Sequence, residues 1–167
     1  VDGLTAARAG VMTVSDSCSR GEREDGSGPA LREALEGAGF TVTRVAVVPD
    51  DRPRIAALLG GWCDEGSCDL ILTTGGTGFS PTDCTPEAMH DVIQRWVPGL
   101  PEMLRAKSAG KVETAWLSRG LAGIRGTTLI VNLPGSRRAA TECFEFLVPL
   151  LPHALEVLAG RTFRCGG

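Results

Sequence analysis

The sequence has no hydrophobic run long enough to cross a bilayer. Its longest apolar stretches are about six or seven residues, roughly a third of a membrane span. It also lacks a basic tail or stripe: acidic and basic residues are interspersed and the formal charge is -3, so nucleic acid is not an expected partner. The beginning, VDGLTAARAGVMTV, carries one Arg and a short hydrophobic stretch rather than the pattern of a signal peptide. No membrane is therefore expected as a partner, and the expected location is cytoplasmic. Histidine is scarce, with only His90 and His153. Cysteines stand at 18, 63, 68, 84, 143 and 165, and their one close pair, Cys63 and Cys68, has the spacing CxxxxC. That is a poor zinc pattern, and the thiols read as small hydrophobes rather than a metal or redox centre. No histidine is locally arranged with Cys18, which argues against a cysteine hydrolase.

What is present is the alternation of an α/β protein. At 167 residues the chain is the size of one ordinary domain, and no repeat or linker divides it. A single domain over residues 1–167 is expected, with its core at about residues 9–160. Apolar segments 10–14, 42–48, 69–74 and Thr128–Leu133 read as strands. Between them, helical spacing places Leu31, Ala34, Leu35 and Ala38 on one face, then Ile55, Leu58, Leu59 and Trp62 on another. A third helix opening at Thr85 and Pro86 is expected to carry Met89, Val92, Ile93 and Trp96. A short helix at PEMLRAK follows, and residues 110–126 read as loop, a turn of helix at SRGLAG and an edge element. Ala140, Cys143, Phe144 and Leu147 mark the next helix, and Leu151, Ala154, Leu155 and Leu158 the last. Strand–helix–strand order with continuously apolar strands implies a mainly parallel sheet covered on both faces.

In such a sheet ligands bind beyond the carboxyl ends of the strands. Four polar segments leave strands there: SDSCSRG, PDD, GGTG and NLPGSRR. TTGGTG, residues 73–78, can turn tightly and aim backbone N–H groups at phosphate oxygens, or serve as a plain tight turn. It is neither a P-loop, which ends in GK[ST], nor a GxGxxG fingerprint. Asp83 and the Asp50–Asp51 pair read either as helix-end and turn carboxylates or as two ligands of a Mg²⁺ ion. PGSRR offers a hydroxyl, amides and two guanidiniums at a helix start, as an anion site or as a solvated helix end. Arg119 and Arg125 read as pocket or surface arginines, and neither histidine reads as a catalyst.

The segments TVSDSCSRGEREDGSGP, VVPDD, LILTTGGTGFSPTDCTPEA, LSRGLAGIRGTTLIVNLPGS and PLLPHAL resemble, in this order, the molybdopterin adenylyltransferase family: the bacterial Mog and MoaB proteins and the plant and gephyrin G domains. The resemblance implies a three-layer α/β/α, molybdopterin-binding-like fold. It implies AMP transfer from Mg-ATP to the terminal phosphate of molybdopterin, with release of pyrophosphate. On the same basis Asp50 and Asp83 match the acidic residues needed for catalysis and metal binding. Ser15, Asp16, Gly75, Gly76, Thr77, Gly78, Pro134, Gly135 and Ser136 match the nucleotide and pterin pocket. A homo-oligomer is implied, a trimer with a hexamer as alternative, as is a downstream molybdenum insertase. The competing readings are a molybdopterin carrier or paralogue without robust adenylylation, and a non-catalytic scaffold module. Thr82 before Asp83, Cys84 after it, and Arg137–Arg138 after PGS depart from the pattern frequent among relatives.

Overall fold

The computed structural model describes residues 7–160; Cys165 and the first six residues of the chain lie outside the described residues. Four parallel strands form the heart of the sheet: β1 (Arg8–Val14), β2 (Thr41–Val48), β3 (Leu70–Thr74) and β6 (Thr128–Leu133). Two short antiparallel strands, β4 (Arg95–Trp96) and β5 (Ala122–Arg125), complete the order β2-β1-β3-β6-β5-β4. The expected mainly parallel α/β architecture is what the chain forms.

The pleat divides each central strand between two apolar layers. Ala9 and Val11 of β1, Leu70 and Leu72 of β3, and Leu129, Val131 and Leu133 of β6 point to one layer. That layer is closed by α2 (Ser27–Gly37), α5 (Gly99–Ala109), α6 (Arg137–Leu147) and α7 (Leu151–Leu158). Met12, Val14, Ile71 and Ile130 point the other way, against α3 (Arg52–Asp64) and α4 (Thr85–Val92). The chain steps from β1 outward to β2, then returns past β1 to β3, and its crossover helices α2 and α3 fall on opposite faces. Such a reversal opens a crevice at the carboxyl ends of β1 and β3.

Three local expectations are corrected. The third helix does not reach Trp96: it ends at Val92, and Ile93 is extended. Gln94 N–H donates to Ile124 O and Val97 N–H to Ala122 O, so this stretch is drawn into an edge strand, while Pro98 disfavours helix at Val97. SRGLAG is not a helical turn. The helical turn lies earlier, a 3₁₀ segment at Glu113–Leu117, and residues 122–125 pair with β6 through a hairpin whose Gly126 has φ +57°. β2 is an edge strand rather than a fully covered one, with Val45 and Val47 exposed. A four-residue helix α1 (Asp16–Ser19), capped by the Ser15 side chain on Cys18 N–H, also forms in the loop after β1.

Asn132 is the polar pin of the sheet centre. It is buried, its Oδ1 accepts from Leu121 N–H at 3.1 Å and its Nδ2 donates to Thr73 Oγ1 at 2.9 Å. Removing it strands a part-buried backbone donor and a buried hydroxyl. Asn132→Ala is expected to cost about 2 kcal/mol, lowering Tm by about 4–8 °C in a thermal melt; an unchanged Tm would contradict the role.

Candidate functional site

The carboxyl ends of the parallel strands are packed almost backbone to backbone. Gly75 leaves β3 at φ +99°, and a Cβ there would lie 2.2 Å from Val14 O. Gly76 follows at φ +67°, where a Cβ would sit 2.3 Å from Thr85 Oγ1 and 3.0 Å from Asp50 Oδ1. Both positions are therefore closed to any side chain, by sterics as well as by the left-handed backbone. On the far side a Cβ on Gly135 would be 3.2 Å from Gly75 Cα, and Thr74 Oγ1 donates to Pro134 O at 2.7 Å. Thr85 Oγ1 closes the loop by donating to Gly75 O.

The loops after β1 and β2 hold each other. Asp16 Oδ1 accepts from Asp50 N–H at 2.9 Å, and Asp50 Oδ2 accepts from Asp16 N–H at 3.2 Å. Asp50 Oδ1 is left buried with no partner. Burial pushes the Asp50 carboxyl above the ordinary aspartate range, against the Asp16 N–H bond and with help from the charges of Asp16 and Asp83. Asp51 is the N-cap of α3, accepting from Arg54 N–H, which is the bland alternative realised at one of the pair. Asp83 Oδ2 accepts from Ser80 N–H, and its other oxygen makes no hydrogen bond among the described residues.

Two adjoining cavities open here. One, of about 370 Å³, is lined by Ser15, Asp50, Asp83, Gly75, Gly76 and Ser136 among others. The second, of about 450 Å³, continues along Thr77, Gly78 and Pro134 to Phe79 and Leu117, with Gly75, Gly76, Asp83 and Gly135 on the shared wall. Every residue matched from the family pattern lines one of them except Asp16, which stands behind Asp50. Among the described residues no cluster of three or more His, Cys, Asp or Glu side chains could hold a metal by itself. Two carboxylates, one with an orphaned oxygen, fit a cation whose remaining ligands are phosphate oxygens and water.

The arginines are placed differently from expectation. Arg119 neither lines the cavities nor sits free on the surface. Its N–H donates to Thr77 O, its guanidinium donates to Gly78 O at 2.8 Å and Asp83 O at 3.0 Å, and it pairs with Glu87. It thus clasps both ends of the loop that carries Asp83. Arg125 pairs with Asp64 and bonds Val92 O, away from the crevice. Arg138 pairs with Glu142 and lines a third groove beside α5. Ser136 Oγ caps α6 on Ala139 N–H, and His90 rests on the Trp96 ring.

Sequence reading missed Thr13, Arg23, Asp25 and Ser27, which also line the first cavity. Asp25 accepts from Thr13 Oγ1 at 2.7 Å and Gly28 N–H at 3.0 Å, and so ties β1 to the first turn of α2, whose N-cap is Gly26. The five described cysteines are all unpaired; burial raises the Cys63 thiol to about 11, as befits an inert core thiol.

Fold and crevice define the class: an α/β domain with a polar crevice at the carboxyl ends of a parallel sheet. The family described as "Probable molybdopterin binding domain" matches residues 10–153, and the chain belongs to it. The molybdopterin adenylyltransferase of Helicobacter pylori is 42% identical over 153 residues, which cover 90% of this chain and 87% of that one. Cinnamon, a molybdenum cofactor synthesis protein of Drosophila melanogaster, is 44% identical over 89% of this chain, which spans only 25% of that longer protein. The crystal structure of the molybdopterin biosynthesis enzyme MoaB of Thermus thermophilus superposes with TM-score 0.87 at 48% identity, covering 95% and 99% of the two chains.

The Arg119 clasp has a pH signature. Arg119 holds the Glu87 carboxyl below the ordinary glutamate range, against a smaller effect of burial. The stability this pair contributes is present above the ordinary glutamate pKa and is lost as pH falls through the lowered value. Glu87→Gln is expected to abolish that part of the acid loss, seen as a flatter Tm against pH below pH 5 or so. Identical profiles would mean the pair holds nothing.

Proposed function

We propose that this chain is a molybdopterin adenylyltransferase that moves AMP from Mg-ATP to the terminal phosphate of molybdopterin and releases pyrophosphate. The observation that carries this reading is the meeting of Asp50, with its unpartnered oxygen, and Asp83 on the wall formed by the glycine loop. The H. pylori relative, named for this activity, supports it.

Adenylyl transfer needs alignment and charge neutralisation more than a strong base, because a phosphate monoester already presents an anionic oxygen. In the proposed reaction that oxygen forms a bond to the α-phosphorus, and the bond from the α-phosphorus to the β-bridging oxygen breaks. Pyrophosphate leaves with the electron pair. Asp50 Oδ1 and the free oxygen of Asp83 would hold the magnesium ion, which when bound neutralises phosphate charge. The Gly75 N–H is spent on Leu133 O, so the amides of Gly76, Thr77 and Gly78 would meet the phosphates, and neither aspartate is needed as a general base. Phe79, Leu117 and Pro134 give the second cavity apolar surface suited to a flat ring. Ser15 and Ser136 offer hydroxyls at the floor, and Asp16 keeps Asp50 in place.

The wider setting follows from the family resemblance: one domain with its core at residues 9–160, a cytoplasmic homotrimer, and a molybdenum insertase that takes the product. No helix among the described residues is long and apolar enough to cross a membrane.

The test is an anaerobic assay with molybdopterin and Mg-ATP that follows adenylylated molybdopterin and pyrophosphate. Asp83→Asn is expected to fold with an unchanged melting temperature and to lose turnover at least about 100-fold at saturating Mg-ATP. Normal turnover in that variant would remove Asp83 from the mechanism, while pterin binding without product in the parent protein would favour a carrier.

A further inference from the structure

We propose that Arg23 is the side chain that receives the phosphates departing as pyrophosphate, an inference that rests on the nucleotidyl-transfer reading above. The first cavity carries three carboxylates, Asp25, Asp50 and Asp83, and Arg23 is the only cationic side chain on its wall among the described residues. A nucleoside triphosphate brings about four more negative charges into that space, and one divalent ion leaves most of them uncompensated. A fixed cation is needed where the charge of the leaving group grows.

Three other arginines near the crevice are already committed, and Arg137, at the start of α6, does not line the first cavity. Arg119 is bound to the glycine loop and Glu87, Arg138 to Glu142, and Arg105 to the carbonyls of Ser118 and Gly120. Arg23 differs: its guanidinium makes no hydrogen bond or ion pair among the described residues. Its near neighbours explain why. Asp25, two residues on, spends one oxygen on Thr13 Oγ1 and the other on Gly28 N–H, and Glu22 pairs with Arg20. Arg23 is thus left unneutralised beside a polyphosphate-sized space.

The loop that presents it is anchored on both sides. Glu22 N–H donates to Ser17 O at 2.9 Å, and Asp25 ties the following turn to β1 and to the start of α2. Arg23 therefore projects from a fixed segment, and a guanidinium stays protonated throughout, so it can bind departing phosphate oxygens without taking part in proton transfer.

The test is equilibrium binding of Mg-pyrophosphate, Mg-ATP and AMP to the parent protein, to Arg23→Ala and to Arg23→Lys. Arg23→Ala is expected to weaken Mg-pyrophosphate and Mg-ATP about 10- to 100-fold and AMP less than about threefold. Arg23→Lys should recover part of the loss, and the melting temperature of both variants should match the parent because the side chain makes no hydrogen bond or ion pair among the described residues. Undiminished pyrophosphate binding by Arg23→Ala would overturn the proposal, as would an equal loss for AMP or a loss confined to molybdopterin. If the parent protein itself binds neither Mg-ATP nor pyrophosphate, the nucleotidyl-transfer reading fails first and takes this inference with it.

Discussion

Everything at the crevice depends on how closely three pieces of backbone approach one another. The carbonyl of Val14 at the end of β1 occupies the space of a Gly75 side chain, and Gly135 after β6 lies against Gly75 from the other side. Only because Gly75 and Gly76 turn in the left-handed region can the loop after β3 bend over its own strand instead of running on. The bend sets Gly76 against Asp50 and brings Asp83 back over the sheet edge. A methyl group at either glycine would separate these strand ends and scatter the residues they carry. The crevice is therefore held by main-chain packing first and by side-chain contacts second.

Charge supplies the second constraint. The Asp16–Asp50 exchange uses two backbone N–H groups to satisfy one oxygen of each carboxylate, and in doing so fixes the other Asp50 oxygen where nothing in the protein reaches it. A buried oxygen without a donor is costly, and proteins retain such a group where a ligand completes it. Arg119 serves the opposite purpose. It neutralises nothing in the cavity but holds both ends of the Asp83 loop, so that a carboxylate on an exposed loop keeps a defined place.

Much of this arrangement was legible in the residues. The central strands announced themselves because Leu70–Thr74 and Thr128–Leu133 are apolar on both faces, and the glycine loop because three glycines directly follow a strand. What could not be read was anything decided by partners distant in sequence. Ile93 and Trp96 fit helical spacing, yet the helix ends at Val92, and hydrogen bonds from Gln94 and Val97 to residues some thirty positions later take Arg95 and Trp96 into an edge strand. Arg119 looked like a candidate ligand because its type suits phosphate, whereas its position gave it three protein acceptors first. Arg23 and Asp25 lay in a polar loop with no periodicity, and only the packing of that loop on β1 brings them to the cavity. The family resemblance pointed to the aspartates and glycines as candidates but not to how one oxygen of Asp50 came to be left unpaired.

The central claim is that this unpaired oxygen and Asp83 hold a divalent ion against the nucleotide phosphates. It is tested most directly by a crystal structure grown with Mn²⁺ and a non-hydrolysable ATP analogue, read by anomalous scattering. The account predicts a manganese peak at about 2.0–2.3 Å from Asp50 Oδ1, with Asp83 as the second carboxylate and phosphate oxygens completing the shell. Nucleotide bound in the crevice with no ion at Asp50, or an ion held elsewhere, would contradict it.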